Sequence, residues 1–214
     1  MEASERRVLH LVTDPRLPRP HLLDAVRAAS DNGLDWVQVR DHRATARELL
    51  DLTRDVLAIC RPRGVRVAVN DRIDVALAAG ADGIQLGEHG LPAEIARRLA
   101  PRLRLGVSVH DLRAAQQAAA AGADWVTFGH IFATPSHPGE PPRGLEPLAE
   151  VVRAVGVPVV AIGGITADNV GAVLGAGARG VAVISAILDA PDPGAVTRAL
   201  RRLLDSCGAP PGAD

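Results

Sequence analysis

Ala79-Gly80-Ala81-Asp82-Gly83-Ile84-Gln85-Leu86-Gly87-Glu88 carries the pattern on which the chain is built. A helix-compatible stretch stops at a glycine, which supplies a left-handed turn, and an apolar run of strand character follows at once. The same joint recurs as Asn32-Gly33-Leu34-Asp35, Ala121-Gly122-Ala123-Asp124 and Ala176-Gly177-Ala178-Arg179. Working outward from these joints, eight short apolar runs end in polar residues: Val8–Asp14, Trp36–Asp41, Arg66–Asp71, Gly83–Glu88, Leu103–His110, Trp125–Phe132, Pro158–Ile165 and Gly180–Ile187. Most are rich in Val and Ile without strict alternation, as strands buried on both faces should be. Helical patterns fill the gaps: His21–Ser30, Thr45–Arg61, Ile73–Ala79, Pro92–Ala100, Leu112–Ala121, Leu145–Val155, Ala167–Leu174 and Pro193–Cys207. Strand and helix thus alternate through eight units, which predicts an α/β fold, a single-domain (β/α)8 TIM barrel. An open doubly wound sheet is the second choice, disfavoured because no G-x-G-x-x-G follows the first run. The barrel is expected to span residues 8–207, between a flexible N-terminus (1–7) and a flexible tail (208–214).

Composition fits this reading. The 214 residues are 47% hydrophobic but 2% aromatic, without Tyr, so Ala, Val, Leu and Gly are expected to fill the interior. A formal net charge of −1 argues against a nucleic-acid footprint. Arginine pairs such as Arg97-Arg98 and Arg201-Arg202 read as solvated helix faces. Cys60 and Cys207 have no metal spacing and read as free thiols. With no secretory signal and no membrane-length apolar run, the expectation is a cytoplasmic protein with no membrane partner; a homo-oligomer is left open.

Chemistry is expected where barrel strands end and loops begin. The polar residues there are Asp14, Arg40, Asp41, Asn70, Asp71, Gln85, Glu88, Ser108, His110, His130, Thr134 and Ser185. Asp14 and Asp41 read as turn and cap residues. Gly163 and Gly164 end the seventh run, and Ile184 and Ser185 the eighth, where barrels commonly bind phosphate; the alternative is a plain tight turn. Arg40 suits a phosphate or carboxylate clamp, or else an ion pair with Asp71 or Asp41. After Ala133, Pro135, Pro138, Pro141 and Pro142 forbid helix and strand, giving a binding-loop segment that holds Thr134, Ser136, His137 and Arg143. His130, just before it, reads as a proton-transfer group, or as a core histidine bonded to a carbonyl.

With these residues assembled, the sequence resembles the thiamine phosphate synthase superfamily. The matching stretches are Gln38–Arg40 (QVR), Val69–Leu77 (VNDRIDVAL), Gly80–Gly87 (GADGIQLG), Leu105–His110 (LGVSVH), Phe128–Ser136 (FGHIFATPS), Ala161–Ile165 (AIGGI) and Val181–Ile187 (VAVISAI). The resemblance implies one of two activities on a similar barrel. A synthase joins a pyrimidine diphosphate to a thiazole phosphate with Mg2+, and a thiazole tautomerase aromatises the thiazole phosphate without metal. Three charged positions of the synthase pattern are absent, with His42, Gly90 and His137 in their places. Gln85 and the S-V-H run also look tautomerase-like. The expectation from the resemblance is therefore the tautomerase, an isomerase without cofactor, acting on a small-molecule thiazole phosphate. His130 would carry the proton, with His110 the rival base. Gly163, Gly164, Ile184 and Ser185 would hold the phosphate, and Arg40, Asn70, Ser108, His110, Thr134 and Ser136 the rest of the substrate. The alternative is the synthase, a transferase, with Asp71 holding Mg2+ and Glu88 standing in for the missing carboxylate. A non-catalytic regulator that binds thiazole phosphate is the third reading.

Overall fold

In the computed structural model, which describes residues 6–206, eight parallel strands close into a barrel in sequence order, with β1 paired to both β2 and β8. The strands are β1 (Val8–Val12), β2 (Trp36–Val39), β3 (Arg66–Asn70), β4 (Gly83–Leu86), β5 (Arg104–Val109), β6 (Trp125–Gly129), β7 (Val159–Ile162) and β8 (Gly180–Val183). The helices are α1 (Arg19–Ser30), α2 (Ala46–Cys60), α3 (Ile73–Ala79), α4 (Ala93–Leu99), α5 (Leu112–Ala120), α6 (Leu145–Ala154), α7 (Val170–Gly175), α8 (Ser185–Leu188) and α9 (Pro193–Ser206). The expected (β/α)8 barrel is therefore what forms. Cys207 and the tail at 208–214 lie outside the described residues, as do residues 1–5. Arg7, placed by the sequence reading in the flexible N-terminus, is buried and donates to the carbonyls of Leu174 and Ala178.

The recurrent joint has a second job besides stopping helices. At three of them the Asp closes a two-bond clasp on the preceding strand. The Asp35 N–H donates to the Leu9 carbonyl while its carboxylate accepts from the Leu9 N–H at 2.8 Å. Asp82 does the same to Val67, and Asp124 to Leu105. Each clasp fixes the start of an odd-numbered strand against the next even-numbered one. That sets register where a slip would turn every side chain over.

Alternate residues face inward. Leu9, Leu11, Val37 and Val39 point out against the helices, while Val12, Trp36, Ala68, Trp125, Val160 and Ala182 fill the barrel. Small residues were expected inside; instead both tryptophans of the chain sit there, ring centroids 5.2 Å apart, with His10 5.9 Å from each. Arg66 lies over Trp36 at 4.8 Å and closes the lower end of this stack. Of the arginine pairs, Arg98 and Arg202 are exposed as expected and their neighbours Arg97 and Arg201 are not. Arg201 is buried and bonded to Asp35, Asp205 and the Arg7 carbonyl, because α9 crosses the base of β1. Arg97 ties α4 to Asp124.

Three strand runs overshoot by three residues or more. The sixth was expected to reach Phe132 and stops at Gly129, the seventh was expected to reach Ile165 and stops at Ile162, and the eighth was expected to reach Ile187 and stops at Val183. In the eighth, Ile184 leaves extended geometry (φ −121°, ψ −88°) and α8 begins one residue later. No helix among the described residues is long and apolar enough to cross a membrane.

Candidate active site

The carboxyl ends of the strands surround a cavity of about 640 Å³. Every residue singled out for binding or catalysis lines it: Arg40, Asn70, Asp71, Ser108, His110, His130, Thr134, Ser136, Gly163, Gly164, Ile184 and Ser185. They converge because they lie at the carboxyl ends of the strands or on the loops that follow them, the face of a barrel that is its functional one.

Arg40 is anchored through its backbone, which donates to Thr13 Oγ1 at 2.8 Å and accepts from the same hydroxyl at 3.0 Å. Its guanidinium has neither ion pair nor hydrogen bond among the described residues. The alternative reading, an ion pair with Asp71 or Asp41, does not form. Asp41 accepts from the Arg43 and Ala44 amides, and Asp14 from Arg16, so both are turn residues. The Arg16 guanidinium holds the Asp14 carboxyl below the usual range.

Asp71 has φ +57°, in the left-handed region that residues other than glycine seldom occupy. Its carboxylate accepts from the Gly87 N–H and from Asn70 Nδ2, each at 2.6 Å, and Asn70 Oδ1 accepts from Gln38 Nε2 at 2.6 Å. A fixed carboxylate with free lone pairs at the mouth fits Mg2+, which takes one or two carboxylates and completes its shell with substrate phosphates and water. Gly90 adds no carboxylate, and any Cβ there would lie 2.5 Å from Asp71 Oδ1, so the loop after β4 packs on Asp71 itself. Glu88 is exposed and its carboxylate faces His110 Nε2 at 3.8 Å.

The Gly129 carbonyl accepts from His110 Nδ1 at 2.7 Å and Arg143 Nε at 2.9 Å. A carbonyl can only accept, so Nδ1 of His110 carries the hydrogen. The segment after β6 is tied at both ends. Ile131 and Phe132 donate to the carbonyls of Ile162 and Gly163, and Arg143 and Gly144 donate back to those of His130 and Ile131. The expected proline-rich loop is thus pinned to the barrel rim, and His130 beneath it is 3% exposed. Its ring stacks on His137, centroids 4.7 Å apart and planes 10° apart. His130, His137 and Glu140 place three ligand atoms within 4.8 Å of one another. Their two stacked rings send their lone pairs along separate layers, so the arrangement orders the loop and does not converge on one ion.

Gly163 (φ +101°) and Gly164 (φ +65°) turn the chain after β7. A Cβ on Gly163 would lie 2.3 Å from His130 Cβ, and one on Gly164 2.5 Å from the Ala133 carbonyl. The pair is glycine first because the β6 loop passes directly against it, a constraint the sequence does not display. Ser185 opens α8, in which the Ile187 and Leu188 N–H groups already donate to the Ile184 carbonyl. Sequence reasoning left out of the site Gln38, Thr127 and Thr166, all cavity-lining. Gln38 and Thr127 had a signal: each is an inward, polar position on a strand.

A closed barrel with a glycine-pair turn after β7, a helix start directly after β8 and a fixed acid after β3 is the architecture of enzymes that handle phosphorylated small molecules. The family model described as thiamine monophosphate synthase matches residues 9–187, and the chain belongs to that family. It is 48% identical over 200 residues to the thiamine-phosphate synthase of Roseiflexus castenholzii, covering 92% of this chain and 88% of that one. It is 40% identical to the thiamine-phosphate synthase of Pyrococcus horikoshii, over 96% of this chain and 98% of that one. The solved structure of thiamine phosphate pyrophosphorylase from Pyrococcus furiosus superposes with a TM-score of 0.86 at 39% identity, over 94% of this chain and 96% of that one. These relatives overturn the tautomerase expectation: it rested on three missing charges, Gln85 and the S-V-H run, whereas chains 40% and 48% identical over more than nine-tenths of this one carry the synthase name.

Proposed function

We propose that the protein is a thiamine-phosphate synthase, a transferase that joins a pyrimidine diphosphate to a thiazole phosphate and releases pyrophosphate. The observation that carries this reading is the placement of two anion-handling groups across one mouth. In an eight-strand ring β3 and β7 stand four strands apart, on opposite sides. Asp71, after β3, supports a cation for the diphosphate. Gly163, Gly164, Ile184 and Ser185, after β7 and β8, form a cradle of backbone N–H groups suited to the monophosphate. Two phosphorylated substrates then enter with their phosphates apart and their reactive ends between.

In the coupling, the thiazole ring nitrogen donates its lone pair to the pyrimidine's methylene carbon, and the carbon–oxygen bond to the diphosphate breaks with its electrons leaving on oxygen. Mg2+, held by Asp71, would supply charge for that departing oxygen. Arg40 adds a cation beside it, and His42 and His137 line the same cavity. The aromatic thiazole nitrogen bears no hydrogen, so no proton has to be removed. His130 is therefore assigned to ordering the loop through its stack on His137, and the proton-carrier role falls with the tautomerase. Asn70, locked by Gln38, holds Asp71 in place.

The test is pyrophosphate release by purified protein given both substrates. Release is expected with Mg2+, absent in EDTA, and reduced at least about a hundredfold in Asp71→Asn. No release from the folded protein with Mg2+ would overturn the reading.

A further inference from the structure

Gln85 is 2% exposed, inside the barrel beneath the cavity floor. Its Oε1 lies 3.1 Å from Trp125 Nε1 and 3.4 Å from Thr127 Oγ1, and its Nε2 lies 3.0 Å from Ser108 Oγ. An indole N–H can only donate. The amide therefore cannot be reversed without setting two donors against each other in a dry interior, where an unmatched polar group is costly. With Oε1 committed to Trp125, Nε2 must donate to Ser108. The Ser108 oxygen is then an acceptor toward Gln85, and its own hydrogen is released toward the cavity that Ser108 lines.

Gly106, on the strand between, makes the contact feasible. A Cβ there would lie 2.3 Å from both Gln85 Oε1 and Trp125 Cε2, so glycine is what allows amide and indole to meet. Trp125 in turn is immobilised by Trp36 and His10.

We propose that Trp125 is a positioning residue which, through Gln85, fills one acceptor position of the Ser108 hydroxyl and frees its hydrogen for donation into the cavity, where it matches an acceptor on the bound substrate. This rests on the synthase reading only for its kinetic test. Trp125 touches no substrate, and its effect passes through one hydroxyl.

Three variants test this: Trp125→Phe, which keeps a ring but removes the N–H, Ser108→Ala, and the two combined. KM for each substrate and kcat are measured by pyrophosphate release. Trp125→Phe and Ser108→Ala are each expected to raise KM of the same one substrate about five- to tenfold, the scale of one neutral hydrogen bond. KM of the other substrate should stay within about twofold, and the double variant should be no worse than Ser108→Ala alone. Additive losses, or a Trp125→Phe effect on the other substrate, would overturn the relay. Gln85→Met provides a second route should Trp125→Phe fold poorly: it should reproduce the Ser108→Ala defect, and normal kinetics would overturn the relay equally. The Trp125 indole N–H resonance gives a reading independent of turnover. It is expected to be protected from exchange in the parent and to lose protection in Gln85→Met; unchanged protection would mean the bond is not there. Should the parent release no pyrophosphate, the synthase reading fails while this resonance still decides the relay.

Discussion

At the scale of single residues, His10 shows how the barrel interior sets chemistry. Burial, reinforced by the charge of Arg66, lowers its pKa from 6.5 to about 3. The folded protein therefore keeps His10 neutral at pH values where the unfolded chain protonates it. Above about pH 6.5 neither state binds the proton and His10 has no effect on stability. Between pH 6.5 and 3 the unfolded state binds more protons, so stability falls as pH falls, by up to about 1.4 kcal/mol per unit. Urea midpoints followed from pH 7 to 4 should decline more steeply for the parent than for His10→Leu; equal slopes would show that His10 is not the acid-sensitive group. Cys60 follows the same logic with the opposite sign. Burial raises its thiol to about 11, so at pH 8 it should react with a thiol reagent in the native state far more slowly than after denaturation. The positions of the site residues were legible in the sequence because strand ends in a barrel converge. Their roles were less so: His42, Gly90 and His137 read as lost charges, and nothing in a linear sequence shows that Gly90 packs on the Asp71 carboxylate or that His137 stacks on His130.

At the scale of elements, the glycine–aspartate joints were visible as a repeat, and they gave the fold. Their reciprocal bonding was not visible, because the strand each Asp clasps lies some fifteen to twenty-six residues earlier in the chain. Asp82 offers the cleanest measure of a clasp, since Val67 is fully buried and would be left with an unsatisfied N–H. Asp82→Ala should cost about 1–3 kcal/mol in chemical denaturation, and Asp82→Asn, which keeps an acceptor oxygen, clearly less. Equal losses would point to charge and not to the bond. The strand ends were less legible for a related reason. Val and Ile at 181–187 and the aromatic run at 125–132 carry strand propensity past the barrel rim. Tertiary packing ends both strands earlier, at the turn into α8 and at the approach of Gly163 and Gly164.

At the scale of the molecule, the proposed function divides the mouth of the closed ring between two kinds of anion site. One side, around β2 to β4, is built from side chains: Asn70 and Asp71 in a fixed hydrogen-bonded frame, and Arg40, which is anchored through its backbone. The other, at β7 and β8, is built from backbone turned by two glycines. The first depends on a bound cation, because a carboxylate by itself repels phosphate. The second does not, since peptide N–H groups carry their partial charge without one. Two independent sites make a definite prediction for simple probes. Pyrophosphate should bind tightly only with Mg2+ and lose that dependence in Asp71→Asn, whereas inorganic phosphate should bind with or without Mg2+. Titrating phosphate into protein saturated with Mg2+ and pyrophosphate should give the phosphate affinity of the free protein within about twofold, because sites without shared contacts have little coupling free energy. Calorimetric displacement of one anion by the other would place both phosphates in a single site, and the division of the mouth between β3 and β7 would be wrong.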